Sequence, residues 1–328
     1  MTTSSARRRL RIVSAVSGAV LLFAALLVGC GSSQEGGTAE GSVKIDHKFG
    51  QTTVPADPKR VVTVGWTDQD FVLPLGVVPV STREFSENYD TLPWVEAATN
   101  GKGLPTWGSD EIDFEAIAAQ KPDLIFAIYE TIDQQTYDRL SQIAPTVIQS
   151  SEYADEETPW NVQLLTTGKA LGKEAQAQEL EDRVQSRIDD ARKSNPEFDG
   201  KTAVVDFGPS QGGHYLLGEN DPRRSLFTAM GFKTQDVVGD VSEEKLGLLD
   251  RDILFVNGGS AQELLASPAF ARLNVVRDGR TLYTNFDSKL SDSLTYSGPD
   301  ALLYALDILT PQLANALNGR PVADLANA

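Results

Sequence analysis

Glu115-Ala-Ile-Ala-Ala-Gln-Lys-Pro-Asp-Leu-Ile-Phe126 aligns without a gap on Glu244-Lys-Leu-Gly-Leu-Leu-Asp-Arg-Asp-Ile-Leu-Phe255. Each stretch reads as a helix, a short turn, an aspartate and a buried strand. Each opens with a glutamate in the first helical turn. Such a unit repeated at two points of one chain implies two lobes built to one plan. A single pair of segments is a modest signal, because helix–strand units share this pattern wherever they occur. The flanking sequence extends it. Short β-branched runs predict strands at 60–64, 77–80, 124–128 and 146–148, and a second set at 202–207, 215–217, 253–256 and 281–283. Helical patterns lie between them at 112–119, 135–143, 225–230 and 299–309. The alternation predicts an α/β fold with mostly parallel sheets in two similar lobes.

Between the two sets runs a helical stretch at 160–194, broken at Gly172. From Lys173 onward, Leu180, Val184, Ile188 and Ala191 recur at helical spacing. Glu179 with Arg183, and Asp189 with Lys193, are favourable i,i+4 pairs on the wet side. Asn195-Pro196 stops the helix. A helix from Lys173 to Ser194 is ~33 Å long, enough to connect one lobe to the next.

The 328 residues carry 46 acidic and 29 basic side chains, a formal charge of −17, one cysteine and two histidines, His47 and His214. This charge excludes a nucleic-acid binder, which needs a basic face to displace phosphate counterions. One cysteine excludes a disulfide framework and a thiolate zinc site. At the N-terminus, Arg7, Arg8, Arg9 and Arg11 precede an apolar run from Ile12 to Val28, the pattern of a signal peptide. The run ends in Leu27-Val28-Gly29-Cys30, which resembles the lipobox of bacterial lipoproteins. That resemblance implies cleavage before Cys30, its lipidation, and a protein anchored at the outer face of the cytoplasmic membrane. The expected division is a signal peptide at 1–29, a flexible tether at 30–44, an N-terminal α/β lobe at 45–168, a connecting helix at 169–195 and a C-terminal α/β lobe at 196–328.

Several segments, in order and spacing, resemble the substrate-binding lipoproteins of iron-siderophore ABC importers. They are Pro-Lys-Arg-Val-Val-Thr-Val at 58–64, Leu-Gly-Val-Val-Pro-Val at 75–80, Phe-Glu-Ala-Ile at 114–117 with Lys-Pro-Asp-Leu-Ile at 121–125, Leu-Ser-Gln-Ile-Ala-Pro-Thr-Val at 140–147, and Val-Val-Arg-Asp-Gly-Arg-Thr-Leu-Tyr at 275–283. The resemblance spans nearly the whole mature chain. It implies two α/β lobes joined by one long helix, a ligand cleft between them, capture of a ferric siderophore, and delivery to an ABC permease dimer by a monomer. The family carries one exposed glutamate per lobe that pairs with permease arginines. Glu115 and Glu244 stand at those places, and the gapless repeat independently makes them equivalent points of the two lobes.

A ferric siderophore supplies all six oxygen ligands to its iron, so no protein cofactor or metal ligand is expected. The site should instead offer arginines to oxyanions and aromatic rings to planar faces. Loops at the carboxyl ends of strands line the clefts of open α/β sheets. That rule selects Trp66, Arg83, Tyr129, Tyr215, Arg223, Arg224 and Tyr296, with one of Arg223 and Arg224 facing the ligand. Ser109 stands where some hydroxamate binders carry an arginine, so the resemblance carries over no hydroxamate specificity.

Other classes leave traces too. Haem or cobalamin would fit a related import lipoprotein, with Tyr129 or His214 as an axial ligand to haem. A surface lipoprotein acting as sensor or adhesin would share the anchor but not the docking glutamates. Gly208-Pro-Ser-Gln-Gly212 matches a nucleophile-elbow pattern. No histidine follows His214 to serve as its base, so the chain reads as a binding protein and not an enzyme.

Overall fold

The computed structural model describes residues 41–84, 86–210 and 213–328; the expected signal peptide and Cys30 lie outside them. The first strands among the described residues form an antiparallel hairpin, β1 (Val43–His47) and β2 (Gly50–Val54). β3 (Val61–Thr63) follows and is wholly buried. The strand expected at 77–80 does not form. Pro79 there has no N–H to give a ladder, and pairing falls instead on Ser81, bridged to Val62, and on β4 (Thr82–Arg83), which lies parallel to β5 (Thr106–Gly108). β6 (Leu124–Ala127) and β7 (Thr146–Ile148) complete a parallel sheet of order β3-β6-β7. All three strands are buried along their length, as strands covered on both faces must be.

The second sheet has five strands in the order β10-β9-β8-β11-β12. β8 (Ala203–Ser210), β11 (Ile253–Asn257) and β12 (Thr281–Thr284) are parallel. β9 (Gly213–Leu216) and β10 (Gly239–Ser242) are antiparallel additions. β8 runs on through Ser210, which pairs with Gly213 of β9. The two halves of the repeat do the same job. The Asp123 carboxylate accepts the N–H groups of Lys59 and Arg60, each at 2.8 Å, just before β3, and Asp252 accepts that of Thr202 at 2.9 Å just before β8. Each aspartate locks the start of its neighbouring strand. The helices differ. Asp113 caps the α-helix Phe114–Ala119 through Glu115 N and Ala116 N, whereas Ser242 makes no side-chain cap and Glu243–Leu249 winds as a 3-10 helix.

The stretch between the sheets is two helices, Trp160–Ala170 and Glu174–Ser194. Gly172 turns the corner at φ 65°, a conformation that favours glycine. Ala177, Leu180, Val184, Ile188 and Ala191 form the buried stripe of the second helix. Its arginines do not make the expected intrahelical pair: Arg183 bonds Asp300 at 2.7 Å and Arg187 bonds Asp307, both on the helix Pro299–Leu317. A partner on the neighbouring helix is nearer than Glu179. One apolar core runs from Phe126 of the first sheet through Val184 and Leu306 to Phe255 of the second.

A polar latch crosses the same region. The buried Asp70 carboxylate accepts the Tyr89 hydroxyl at 2.9 Å, Trp94 Nε1 at 2.8 Å and Gly298 N at 3.0 Å. Burial raises its pKa from 3.8 to about 6 against these hydrogen bonds. The folded state thus holds this proton more tightly than the unfolded chain. The resulting stability is full below about pH 4 and is lost as pH rises through about 6. Urea unfolding between pH 4 and 7 should show this negative slope, and Asp70→Asn should flatten it. An unchanged slope in the variant would assign the effect to other groups.

Candidate ligand cleft

The turn after β3 is held by a buried acid. The Asp68 carboxylate accepts Gly65 N at 3.0 Å, and Ile128 N and Tyr129 N at 3.1 Å each. Trp66 N donates to Tyr129 O at 3.0 Å. Residue 65 must be glycine, since a Cβ there would lie 2.5 Å from Asp68 Oδ2. This clip sets the half-buried rings of Trp66 and Tyr129 at the carboxyl ends of β3 and β6. Burial raises Asp68 to about 6 despite its three backbone donors.

Arg83 lies beneath them. Its guanidinium sits 3.9 Å from the Trp66 ring centre and 5.2 Å from that of Trp107. Nε donates to Val64 O at 2.9 Å, Nη1 to Ser109 O at 3.2 Å and Asp110 O at 2.6 Å, and Nη2 to Glu130 Oε2 at 2.5 Å. The residue is 3% exposed. Arg83 therefore borders the site but its donors are spent on the protein. Burial raises its partner Glu130 to about 7, against the pull of Arg83. A cavity of about 510 Å³ opens here, walled by Trp66, Glu130, Ile112, Phe114 and Arg139.

From the C-terminal half, Arg223 comes close to Tyr129 and Tyr215. Asp221 grips Arg223 through two hydrogen bonds, 2.8 Å to Nε and 2.5 Å to Nη2, and the guanidinium lies 4.1 Å from the Phe207 ring centre. Phe207 meets Phe286 at 5.2 Å between ring centres. Phe286 is exposed on its other face and rests on Gly208 and Gly258; any Cβ at residue 258 would come within 2.2 Å of its ring. Tyr215 is also exposed. The two walls sense each other: burial raises the Tyr129 phenol pKa well above its ordinary value, the charges of Asp221 and Glu156 push it further, and Arg223 pulls it back.

The structure thus brings together Trp66, Tyr129, Tyr215 and Arg223, with Arg83 as the floor. It removes two candidates. Arg224 is fully buried, bonded to Leu217 O and Gln235 Oε1, and burial lowers its pKa to about 10. Of the adjacent arginines, Arg223 is the one that faces the cleft. Tyr296 is 1% exposed and stacks in the core, its ring 4.4 Å from that of Tyr89. His214 is equally withdrawn as an axial ligand: Nδ1 is bonded to the buried Asp206 at 2.5 Å and its ring stacks on Phe270. Glu115 and Glu244 are exposed, and neither is among the residues that wall the cavity at Trp66. Phe207, Glu130 and Phe286 escape the sequence reading, although Glu130 and Phe286 closely follow β6 and β12 and obey the same strand-end rule that selects Tyr129.

Two α/β sheets bound by one core, with Arg223 of one half close to Tyr129 of the other, have the build of a solute-binding protein. The family model for periplasmic binding proteins matches residues 61–287, and the chain belongs to that family. It is 29% identical over 286 residues to the Fe(3+)-citrate-binding protein YfmC of Bacillus subtilis, covering 82% of this chain and 88% of that one. A periplasmic solute binding protein from Mycobacterium smegmatis superposes with a TM-score of 0.77 at 33% identity, covering 85% of this chain and all of the other. PiaA of Streptococcus pneumoniae, solved in complex with ferrichrome, superposes with a TM-score of 0.71 at 26% identity, covering 84% and 99%. The family is one of binding proteins. Among the described residues no helix is long and apolar enough to cross a membrane.

Proposed function

We propose that this chain is the extracytoplasmic binding component of an ABC importer for ferric siderophores. It is anchored through Cys30, holds the chelate between lobes at 45–168 and 196–328 joined by the helical segment at 169–195, and presents it as a monomer to a permease dimer. The observation that carries this reading is that half-buried Arg223, packed on Phe207, lies close to Tyr129 of the other half and to Tyr215, with Trp66 and Phe286 as further rings of the two halves. Such walls fit the organic shell of a large chelate, while the iron keeps its six oxygens from the siderophore and needs nothing from the protein. The ligands named for the relatives, Fe(3+)-citrate and ferrichrome, support the same class. Glu115 and Glu244 are the proposed permease contacts.

Trp66 makes the cleft self-reporting, because ferric chelates absorb near indole emission and quench it. Titration of the purified protein with a panel of ferric chelates should give saturable quenching for at least one. Phe286→Ala should weaken that ligand by about 5–30-fold, the effect of losing roughly 1–2 kcal/mol of apolar contact. Absence of quenching by every chelate in the panel would reject the reading.

A further inference from the structure

We infer that the cleft selects an electroneutral ferric chelate over a polyanionic one, an inference that rests on the siderophore reading above. The arginines expected to meet oxyanions are already neutralised by the protein. Arg83 gives Nη2 to Glu130, gives its other donors to the carbonyls of Val64, Ser109 and Asp110, and is nearly inaccessible. Arg223 gives Nε and Nη2 to Asp221 and lays one face on Phe207. Arg224 is sealed in the interior. Of the arginines around the cleft, Arg139 alone is solvent-exposed, and its guanidinium covers the Phe114 ring at 3.5 Å.

The acids outnumber these cations. Asp110 and Glu111 stand exposed at the mouth of the first cavity, and Glu156 lies close enough to Tyr129 to act on its phenol. With Glu130 and Asp221 they face three arginines in a chain whose formal charge is −17. A chelate bearing several negative charges would meet like charge at the rim, with Arg139 the one exposed guanidinium of these arginines to offset it. Freeing Arg83 for such a ligand would strand Glu130 in a buried site. A chelate of no net charge meets neither obstacle. Its organic shell packs on the rings, and Nη1 of Arg223 can donate to one of its oxygens without unbalancing the site. Iron(III) bound by three hydroxamates is neutral; bound by three catecholates it carries three negative charges, and ferric dicitrate is also anionic.

The test is quenching titration of the purified protein with ferrichrome as the neutral trihydroxamate, a ferric hexadentate tricatecholate, and ferric dicitrate, each at low and high salt. The neutral chelate should bind about 100-fold tighter than either anion, with an affinity that salt moves less than about twofold. Asp221→Asn should uncover Arg223 and strengthen the anionic chelates about tenfold, narrowing their gap to ferrichrome. An anionic chelate that binds tightest, or fails to gain from Asp221→Asn, overturns this inference and leaves the siderophore reading intact. Binding of none of the three removes both.

Discussion

Arg83→Ala lowers the unfolding free energy by about 3–5 kcal/mol, read from the urea midpoint at constant slope. The sequence predicts the opposite, a loop arginine whose loss is felt by the ligand and not by the fold. Burial decides between them. The Arg83 side chain is 1% exposed and Glu130 11%, so deleting the guanidinium leaves a carboxylate with no counter-charge and with Asp68 nearby. Of the three carbonyls that lose a donor, those of exposed Ser109 and Asp110 have water at hand, whereas that of buried Val64 adds to the cost. The stacked contacts with Trp66 and Trp107 go too. Two controls separate the causes. Glu130→Gln in the Arg83→Ala background should restore part of the loss, a non-additivity expected for partners in one pair. The single variant's deficit should also shrink as pH falls below about 7, because Glu130 then takes up a proton and the stranded charge disappears. A deficit under about 1 kcal/mol, or one indifferent to Glu130 and to pH, would make the pair peripheral to the fold.

Arg83 shows where sequence reading stops. Its place after a strand puts it near the cleft, but its direction is set by Glu130, 47 positions away, and by two indole rings, Trp66 after β3 and Trp107 in β5. Nothing local encodes that. Arg223 is closer to legible, because Asp221 lies two residues before it and both bonds are local; what hides Arg224 is only the phase of the 3-10 turn at Pro222–Arg224. The parallel strands β3, β6, β7, β8, β11 and β12 were all readable as apolar runs, since strands buried on both faces need no partner to announce them. Of the antiparallel strands, β9 was legible as the run at 215–217, and the others were not. β10 joins at Gly239–Ser242, where one residue of four is buried, and the β1–β2 hairpin is equally half-wet. Tyr296 reads as a cleft tyrosine by position, yet the latch around Asp70 gathers Tyr89 and Trp94 from elsewhere and closes over it.

Exchanging both Glu115 and Glu244 for alanine should abolish most iron uptake while leaving chelate affinity within about twofold. Both side chains are exposed and neither has a hydrogen-bonded or ionic side-chain partner among the described residues. Glu115 precedes Leu124 of β6, and Glu244 precedes Ile253 of β11, by the same nine positions, and Asp123 and Asp252 then lock equivalent strand starts. The two carboxylates are thus matched points of two halves, the arrangement a two-fold symmetric partner requires. Their local roles are small. Glu115 favours its helix N-terminus by about 0.3–1 kcal/mol, and Glu244 opens a 3-10 turn with no side-chain cap. The fold therefore tolerates both changes. Two interfacial charge pairs at about 1.4 kcal/mol each would lower affinity for the permease roughly 100-fold when both are removed. Each single variant should fall between, and each loss should deepen at higher salt, which screens the remaining pair. Radio-iron uptake in cells, with surface abundance measured in parallel and chelate binding measured on purified protein, reads all three quantities. Uptake by the double variant at the parental rate and equal abundance would strip these glutamates of a docking role and favour a sensor or adhesin over an importer.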